Sequence, residues 1–217
     1  PQQRDEKSTL YVDRIKVQLA RRQPHPKESA VTETIVFDAV DHLSVDTLRF
    51  LAVDMIEQAD YKGKHVVLEW VNPECPYVRK HYGSANMQAT QQAATAKGVV
   101  WLAVNSTDTR HVDYKPPPAM AAWMKLQRAV PSATLMDAEG RVGRAYGART
   151  TPHMYVIDAR GLLVYAGAID DKPSANPADV KTATNHVSAA LADVLAGRPM
   201  AQPVTRAYGC SVKYADG

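Results

Sequence analysis

The chain has 217 residues, 45% hydrophobic and 23% charged, with a formal net charge of +3 at pH 7. These are globular proportions, enough for one well-filled domain with peripheral elaboration. No apolar run approaches the ~18 residues that a membrane span needs, and the basic residues are scattered instead of gathered in a stripe, so neither a membrane span nor nucleic-acid binding is indicated.

Residues 1–30 are rich in charge and glutamine and break at Arg21-Arg22-Gln23-Pro24-His25-Pro26, which reads as a peripheral arm. The chain opens at Pro1 with no apolar leader pattern, compatible with a removed leader or a trimmed chain. Apolar positions alternate over 31–40 as in a strand. The turn Tyr61-Lys62-Gly63-Lys64 then feeds His65-Val66-Val67-Leu68-Glu69-Trp70-Val71, a β-branched and aromatic run of the length of an interior strand. Next comes Asn72-Pro73-Glu74-Cys75-Pro76-Tyr77-Val78, a loop turning into a helix with proline in its first turn, where the missing N–H costs nothing. The alanine-rich stretch 84–97 continues as helix, and 99–104 is a second buried strand, making a strand, crossover helix and parallel strand.

Further on, the pattern predicts a helix over 119–129, a short strand over 133–136, and a β-hairpin formed by 154–158 and 162–167 around Ala159-Arg160-Gly161. Asn176 and Pro177 are an N-cap and first helical residue, with apolar positions from Val180 to Leu195 at helical spacing and Gly197 as the stop. The expected architecture is α/β, with a central mixed β-sheet flanked by helices. It comprises an arm (1–30), a domain (31–197, core 61–197) and a C-terminal tail (198–217) that carries Cys210.

Two cysteines, Cys75 and Cys210, are too few for a disulfide framework or a four-ligand zinc site but enough for one redox pair. Cys75 stands at a helix start, where unpaired N–H groups and the helix dipole favour the reactive thiolate. His81, on the same helix, reads as a solvated surface histidine. The Asp170-Asp171 pair reads as a solvated turn.

The stretch from Val66 through Cys75 resembles the strand and loop leading to the first active-site cysteine of thioredoxin-like proteins, and Cys75-Pro76-Tyr77-Val78 resembles their peroxiredoxin-like, redoxin-domain (AhpC/TSA-like) branch. Thr151-Pro152 stands where that fold keeps a cis-proline facing the sulfur, which leaves a backbone edge free to receive a substrate's chain. The similarity covers about residues 61–197, and Tyr208-Gly209-Cys210-Ser211-Val212-Lys213-Tyr214 is similar to the tail of secreted redoxin-domain relatives. The resemblance implies Cys75 as redox nucleophile and Pro152 shaping the substrate face, with Asn72, Pro76, Tyr77, Thr151 and Arg149 lining it. It implies no organic cofactor, a compartment outside the cytoplasm, a thioredoxin-like dithiol protein as reductant, and a hydroperoxide or protein disulfide as substrate.

Two departures qualify it. Val78 stands where a thioredoxin has its second cysteine, so dithiol exchange within one helical turn is impossible. Asn72 stands where a peroxiredoxin has the hydroxyl residue that holds peroxide, leaving Arg79 or Arg149 as candidates for the arginine that steadies the thiolate. Cys210 lies about 13 residues beyond Gly197, and extended chain spans ~3.3–3.6 Å per residue, so the tail reaches ~40 Å and can fold back over the domain. Three roles stay open for it: a resolving thiol for oxidised Cys75, half of a permanent disulfide pinning the tail, or an unrelated surface cysteine. A non-catalytic binding or structural protein on the same fold is the rival to an oxidoreductase.

Overall fold

The computed structural model describes residues 9–10, 61 and 63–215. The alternation at 31–40, and all of the arm except residues 9–10, lie outside the described residues.

Strand β2 (Val66–Trp70) is buried at every position and occupies the middle of the main sheet. On one side it pairs parallel with β3 (Val100–Asn105), which pairs parallel with β4 (Ala133–Met136); β1 (Thr9–Leu10) adds to the outer edge of β4. On the other side β2 pairs antiparallel with β6 (His153–Ile157), which forms the expected hairpin with β7 (Leu163–Gly167). The sheet is therefore mixed, in the order β1-β4-β3-β2-β6-β7.

Because side chains alternate along a strand, β2 sends Val67, Glu69 and Val71 to one face and Val66, Leu68 and Trp70 to the other. The first face carries the larger cluster, built with α1 (Pro76–Gly83), α2 (Asn86–Thr95), α3 (Pro117–Leu126) and α5 (His186–Leu195). The second is covered by α4 (Arg141–Ala145) and its flanks, with Trp70, Tyr146 and Tyr155 in mutual edge and tilted contacts. Each fully buried large apolar side chain contributes ~1.5–3 kcal/mol, so this two-sided burial is what holds β2 in place beneath Cys75.

One expected element divides. Asn176 does cap a helix, its side chain accepting from Ala178 N at 3.0 Å, but that helix is a 3₁₀ turn (Pro177–Thr182) and ends there. Asn185 restarts the chain as α5 by accepting from Ser188 N at 2.9 Å. A second cap inside the apolar pattern overrides the single long helix expected from the spacing.

Glu69 belongs to a strand yet points into the helix layer, wholly buried. Tyr82 Oη, Gln91 Nε2 and Trp101 Nε1 donate to it at 2.8, 3.0 and 2.7 Å. Burial raises its pKa above the usual carboxylate value, and these three donors hold the rise in check.

Candidate active site

The loop after β2 is shaped by Asn72. Its Oδ1 accepts from Glu74 N at 2.9 Å and its backbone carbonyl from Cys75 N at 3.1 Å, a tight turn that delivers Cys75 to the N-cap of α1. Cys75 has extended backbone (φ −73°, ψ 122°), its carbonyl accepts the first helical bond from Arg79 N, and exposed Pro76 supplies the first helical φ. Asn72 is itself buried, with its amide donating to Asp113 Oδ2 at 3.0 Å. Glu74 pairs with Lys115 at 2.8 Å, so the 107–116 segment is fastened over the loop. Chiefly through the Lys115 hydrogen bond, the Glu74 carboxyl sits below its usual pKa.

Cys75 is only 1% exposed, and its Sγ–H donates to the Thr151 carbonyl at 2.9 Å. The Thr151–Pro152 bond is cis, and both residues are buried, as expected of a proline facing the sulfur.

The edge beside that proline is occupied, which corrects the expectation that it lies free. Strand β5 (Thr150–Thr151) pairs antiparallel with β8 (Cys210–Ser211), with Thr151 opposite Cys210 and Thr150 opposite Ser211. Val212 N extends the ladder by donating to Arg149 O at 3.0 Å. At Gly209 (φ +142°) a Cβ would stand 2.1 Å from the Thr151 carbonyl oxygen, so only glycine admits this approach.

Polar anchors carry the tail to this seat. Its backbone brackets Ala166 through Pro203 O and Thr205 N, and Thr205 Oγ1 meets Tyr165 Oη at 2.6 Å and Ala168 N at 2.9 Å. The Tyr208 ring stacks edge-on against Tyr77, the partly buried residue two places after Cys75, with centroids 5.8 Å apart. Beyond β8, Lys213 O accepts from Asp108 N and Tyr214 Oη donates to Ala148 O at 2.7 Å.

Cys75 and Cys210 are thus brought together, both as free thiols. The Cys210 thiol is pushed up to about 12, first by burial, then by its hydrogen bond with Cys75 and the nearness of that sulfur; Lys213 opposes the shift and Asp113 adds to it.

The arginines expected as aids to the thiol are directed elsewhere. Arg79 donates to Pro73 O at 2.8 Å and pairs with Glu74 at the surface. Arg149 is exposed, and joins the site through its backbone carbonyl.

His81 and Asp170 correct the reading of them as solvated. Lys80, His81 and Asp170 are all buried under the tail: Lys80 Nζ reaches Asp170 Oδ2 at 3.3 Å and Lys172 O at 2.7 Å, and Tyr208 Oη donates to Asp170 Oδ1. His81 Nε2 lies 3.2 Å from Tyr208 Oη, and burial pushes its pKa down to about 4, with Lys80 adding to the fall and Asp170 opposing it. Tyr208, Gly209, Asp113 and Lys80 escaped sequence reasoning. The one available signal was Gly209 standing directly before Cys210.

The AhpC/TSA family model matches residues 45–166, more than half of the chain. The chain belongs to the AhpC/TSA family. No curated protein sequence matches this redoxin. Among solved structures, it is similar to a hypothetical protein of Sinorhizobium meliloti, at 24% identity and a TM-score of 0.60, covering 72% of this chain and 82% of that one. An uncharacterized conserved protein from Geobacillus kaustophilus gives the same identity and TM-score over 73% and 82%. These two likenesses concern the fold, which is thioredoxin-like, as the sequence suggested. The family assignment makes this AhpC/TSA member a thioredoxin-like redox protein. No helix among its described residues is long and apolar enough to cross a membrane.

Proposed function

We propose that the protein is a thiol oxidoreductase that cycles between a Cys75/Cys210 dithiol and a Cys75–Cys210 disulfide, with Cys75 as nucleophile and Cys210 as resolving thiol. One observation carries this reading: β8 sets Cys210 opposite Thr151, the residue whose carbonyl accepts the Cys75 proton. The two roles follow from the environments. Cys210, held protonated by burial and by Cys75, is a poor first nucleophile at neutral pH, but it is in place to attack Cys75 once that sulfur is oxidised.

Because Cys75 is buried with the tail seated, the oxidant this reading calls for is a small one, of the hydroperoxide class. Cys75 thiolate attacks the distal peroxide oxygen, the alkoxide or hydroxide leaves and takes a proton, and Cys75 becomes a sulfenic acid. Cys210 then attacks that sulfur, water leaves, and the disulfide closes. A dithiol protein returns both thiols by exchange, becoming oxidised itself. The chain's likeness to exported redoxins supports a compartment outside the cytoplasm for this cycle.

A second reading, exchange with protein disulfides, draws on Asn72. That side chain offers no hydroxyl for a peroxide, and both of its ends are taken, by Glu74 N and Asp113. Peptide mapping of the reduced protein after one equivalent of hydrogen peroxide tests the main reading. A Cys75 sulfenate giving way to a Cys75–Cys210 bond is the expected result. A Cys75 inert to both hydrogen peroxide and a small disulfide would overturn the redox cycle and favour a non-catalytic role.

A further inference from the structure

We propose that the C-terminal tail is a displaceable strap seated where a partner protein docks, and that the partner segment is an extended strand carrying a cysteine preceded by glycine. The inference rests on Cys75 being the redox nucleophile and extends that reading to the class of macromolecular partner.

Three observations lead to it. First, the tail lies on β5 as an added antiparallel strand, the arrangement by which an extended peptide engages a sheet edge: backbone bonds supply affinity and alternate side chains specificity. The tail presents a sulfur to Cys75 from that edge as a partner's disulfide would be presented. Second, the tail is a surface layer over the site that meets the core clusters through Tyr208, Cys210 and Val212. Cys75, Thr151 and Pro152 beneath it are buried, whereas every residue from 203 to 215 remains partly or largely exposed. Elements with few buried apolar contacts are the ones that open locally. Third, the anchors are polar. Lifting Tyr208 and Thr205 admits water to Lys80, Asp170 and Tyr165, a buried ion pair and a buried hydroxyl that water can solvate.

The specificity follows from Gly209. A strand in this seat brings the residue before its cysteine against the Thr151 carbonyl, where a Cβ has no room. A Gly-Cys pair with its glycine at positive φ therefore fits, and a bulkier residue before the cysteine does not.

The cycle balances with the strap as its resolving arm. In the reduced protein the strap lifts and the partner's disulfide-bearing strand takes β5. Cys75 thiolate attacks the nearer partner sulfur, the other leaves as thiolate, and a Cys75–partner mixed disulfide remains. The returning strap brings Cys210 onto the Cys75 sulfur and expels the partner's second thiolate. The partner ends as a dithiol, this protein as a Cys75–Cys210 disulfide, and the two protons shed by its thiols pass to the partner. Once closed, the disulfide locks the strap over the edge.

The test uses the full chain with Cys210→Ser, which leaves Cys75 as the single thiol, alone or combined with Gly209→Ala or Tyr208→Phe to unseat the strap at separate anchors. The probe is a synthetic peptide copying residues 206–214, its cysteine activated as a thionitrobenzoate disulfide, with release followed at 412 nm. Controls are the same peptide N-methylated at the valine that would bond Arg149 O, and the small disulfide dithiobis(nitrobenzoate). Unseating is expected to accelerate the peptide at least tenfold, to accelerate the N-methyl peptide several-fold less, and to change the small disulfide least. Equal acceleration of all three, or none in either folded variant, would overturn the docking edge. The underlying couple is read separately: wild-type protein treated with the small disulfide either closes a Cys75–Cys210 bond by mass or does not.

Discussion

Replacing Gly209 by alanine probes how Cys210 is delivered. An alanine Cβ at this position would sit 2.1 Å from Thr151 O and 2.7 Å from its carbonyl carbon, and the backbone φ of +142° is itself disfavoured for any side chain. A non-glycine residue held in such a conformation costs ~1–3 kcal/mol, while a two-residue ladder and the adjoining Val212 bond contribute roughly 1 kcal/mol per hydrogen bond. Strain and seat are thus of similar size, and β8 lifts. A loss of ~2 kcal/mol in seating corresponds to about a 30-fold slower attack of Cys210 on Cys75, at tenfold per 1.4 kcal/mol. The domain core is untouched, so the melting temperature should change little. Stopped-flow reaction with dithiobis(nitrobenzoate) reports the step directly. In the wild type the first and second thionitrobenzoate ions should appear together, because closure outruns the initial attack; in Gly209→Ala the second should lag. Simultaneous release in the variant, matching the wild type, would show that the β8 seat does not set the closure rate.

Cys75→Ser should remove reaction with peroxide at both cysteines, whereas Cys210→Ser should leave a persistent Cys75 sulfenate that dimedone traps; mass mapping separates the two. Glu69→Ala strands three buried donors, Tyr82, Gln91 and Trp101, and should cost about 3 kcal/mol in urea unfolding. Lys80→Met leaves Asp170 buried without its cation and should cost about 3 kcal/mol, most of it recovered when Asp170 is also made apolar. His153 is held near a pKa of about 4, by burial first and Arg149 second, against 6.5 when unfolded. The unfolded chain therefore binds this proton first, and stability present above pH 6.5 falls as pH drops towards 4, by about 2 kcal/mol at pH 5. His153→Gln should flatten the pH 7.5-to-5 difference in unfolding free energy by that amount; an unchanged slope would refute the assignment.

The strand, loop and helix around Cys75 were legible because local chemistry and tertiary structure agree there. A β-branched run wants an interior strand, Asn72 wants a turn, and Pro76 wants the first helical position. The cis-proline was legible only through resemblance, since nothing local distinguishes it from any proline at the start of a strand. His81 and Asp170 were misread, and Lys80 went unnoticed, for a physical reason: a charged side chain looks solvated until its partner is known, and the Lys80 and Asp170 partners stand 90 positions apart. The tail posed the same difficulty. Chain length permitted Cys210 to reach Cys75, but the ladder that brings it there is a two-residue pairing whose strands carry no periodic signal of their own. Val180 to Leu195 failed in the opposite sense, with a sound apolar pattern interrupted by Asn185, a stronger local instruction.

The distribution of the two cysteines has a mechanical consequence. Two thiols on one helical turn exchange electrons without moving anything else, since the backbone between them is already fixed by the helix. Here the second thiol sits on a segment anchored by hydroxyls and backbone bonds, and the first sits in a buried frame built by β2, α1 and the Thr151–Pro152 corner. In the proposed cycle, forming the disulfide converts a set of individually weak contacts, each worth ~1 kcal/mol, into a covalent closure of the tail over that corner. Oxidation state and access to the β5 edge are then linked by thermodynamics: whatever stabilises the lifted tail must disfavour the disulfide, and whatever seats the tail must favour it. On the proposed Cys75–Cys210 cycle, Gly209, Thr205 and Tyr208 therefore belong to the redox chemistry although none of them exchanges an electron.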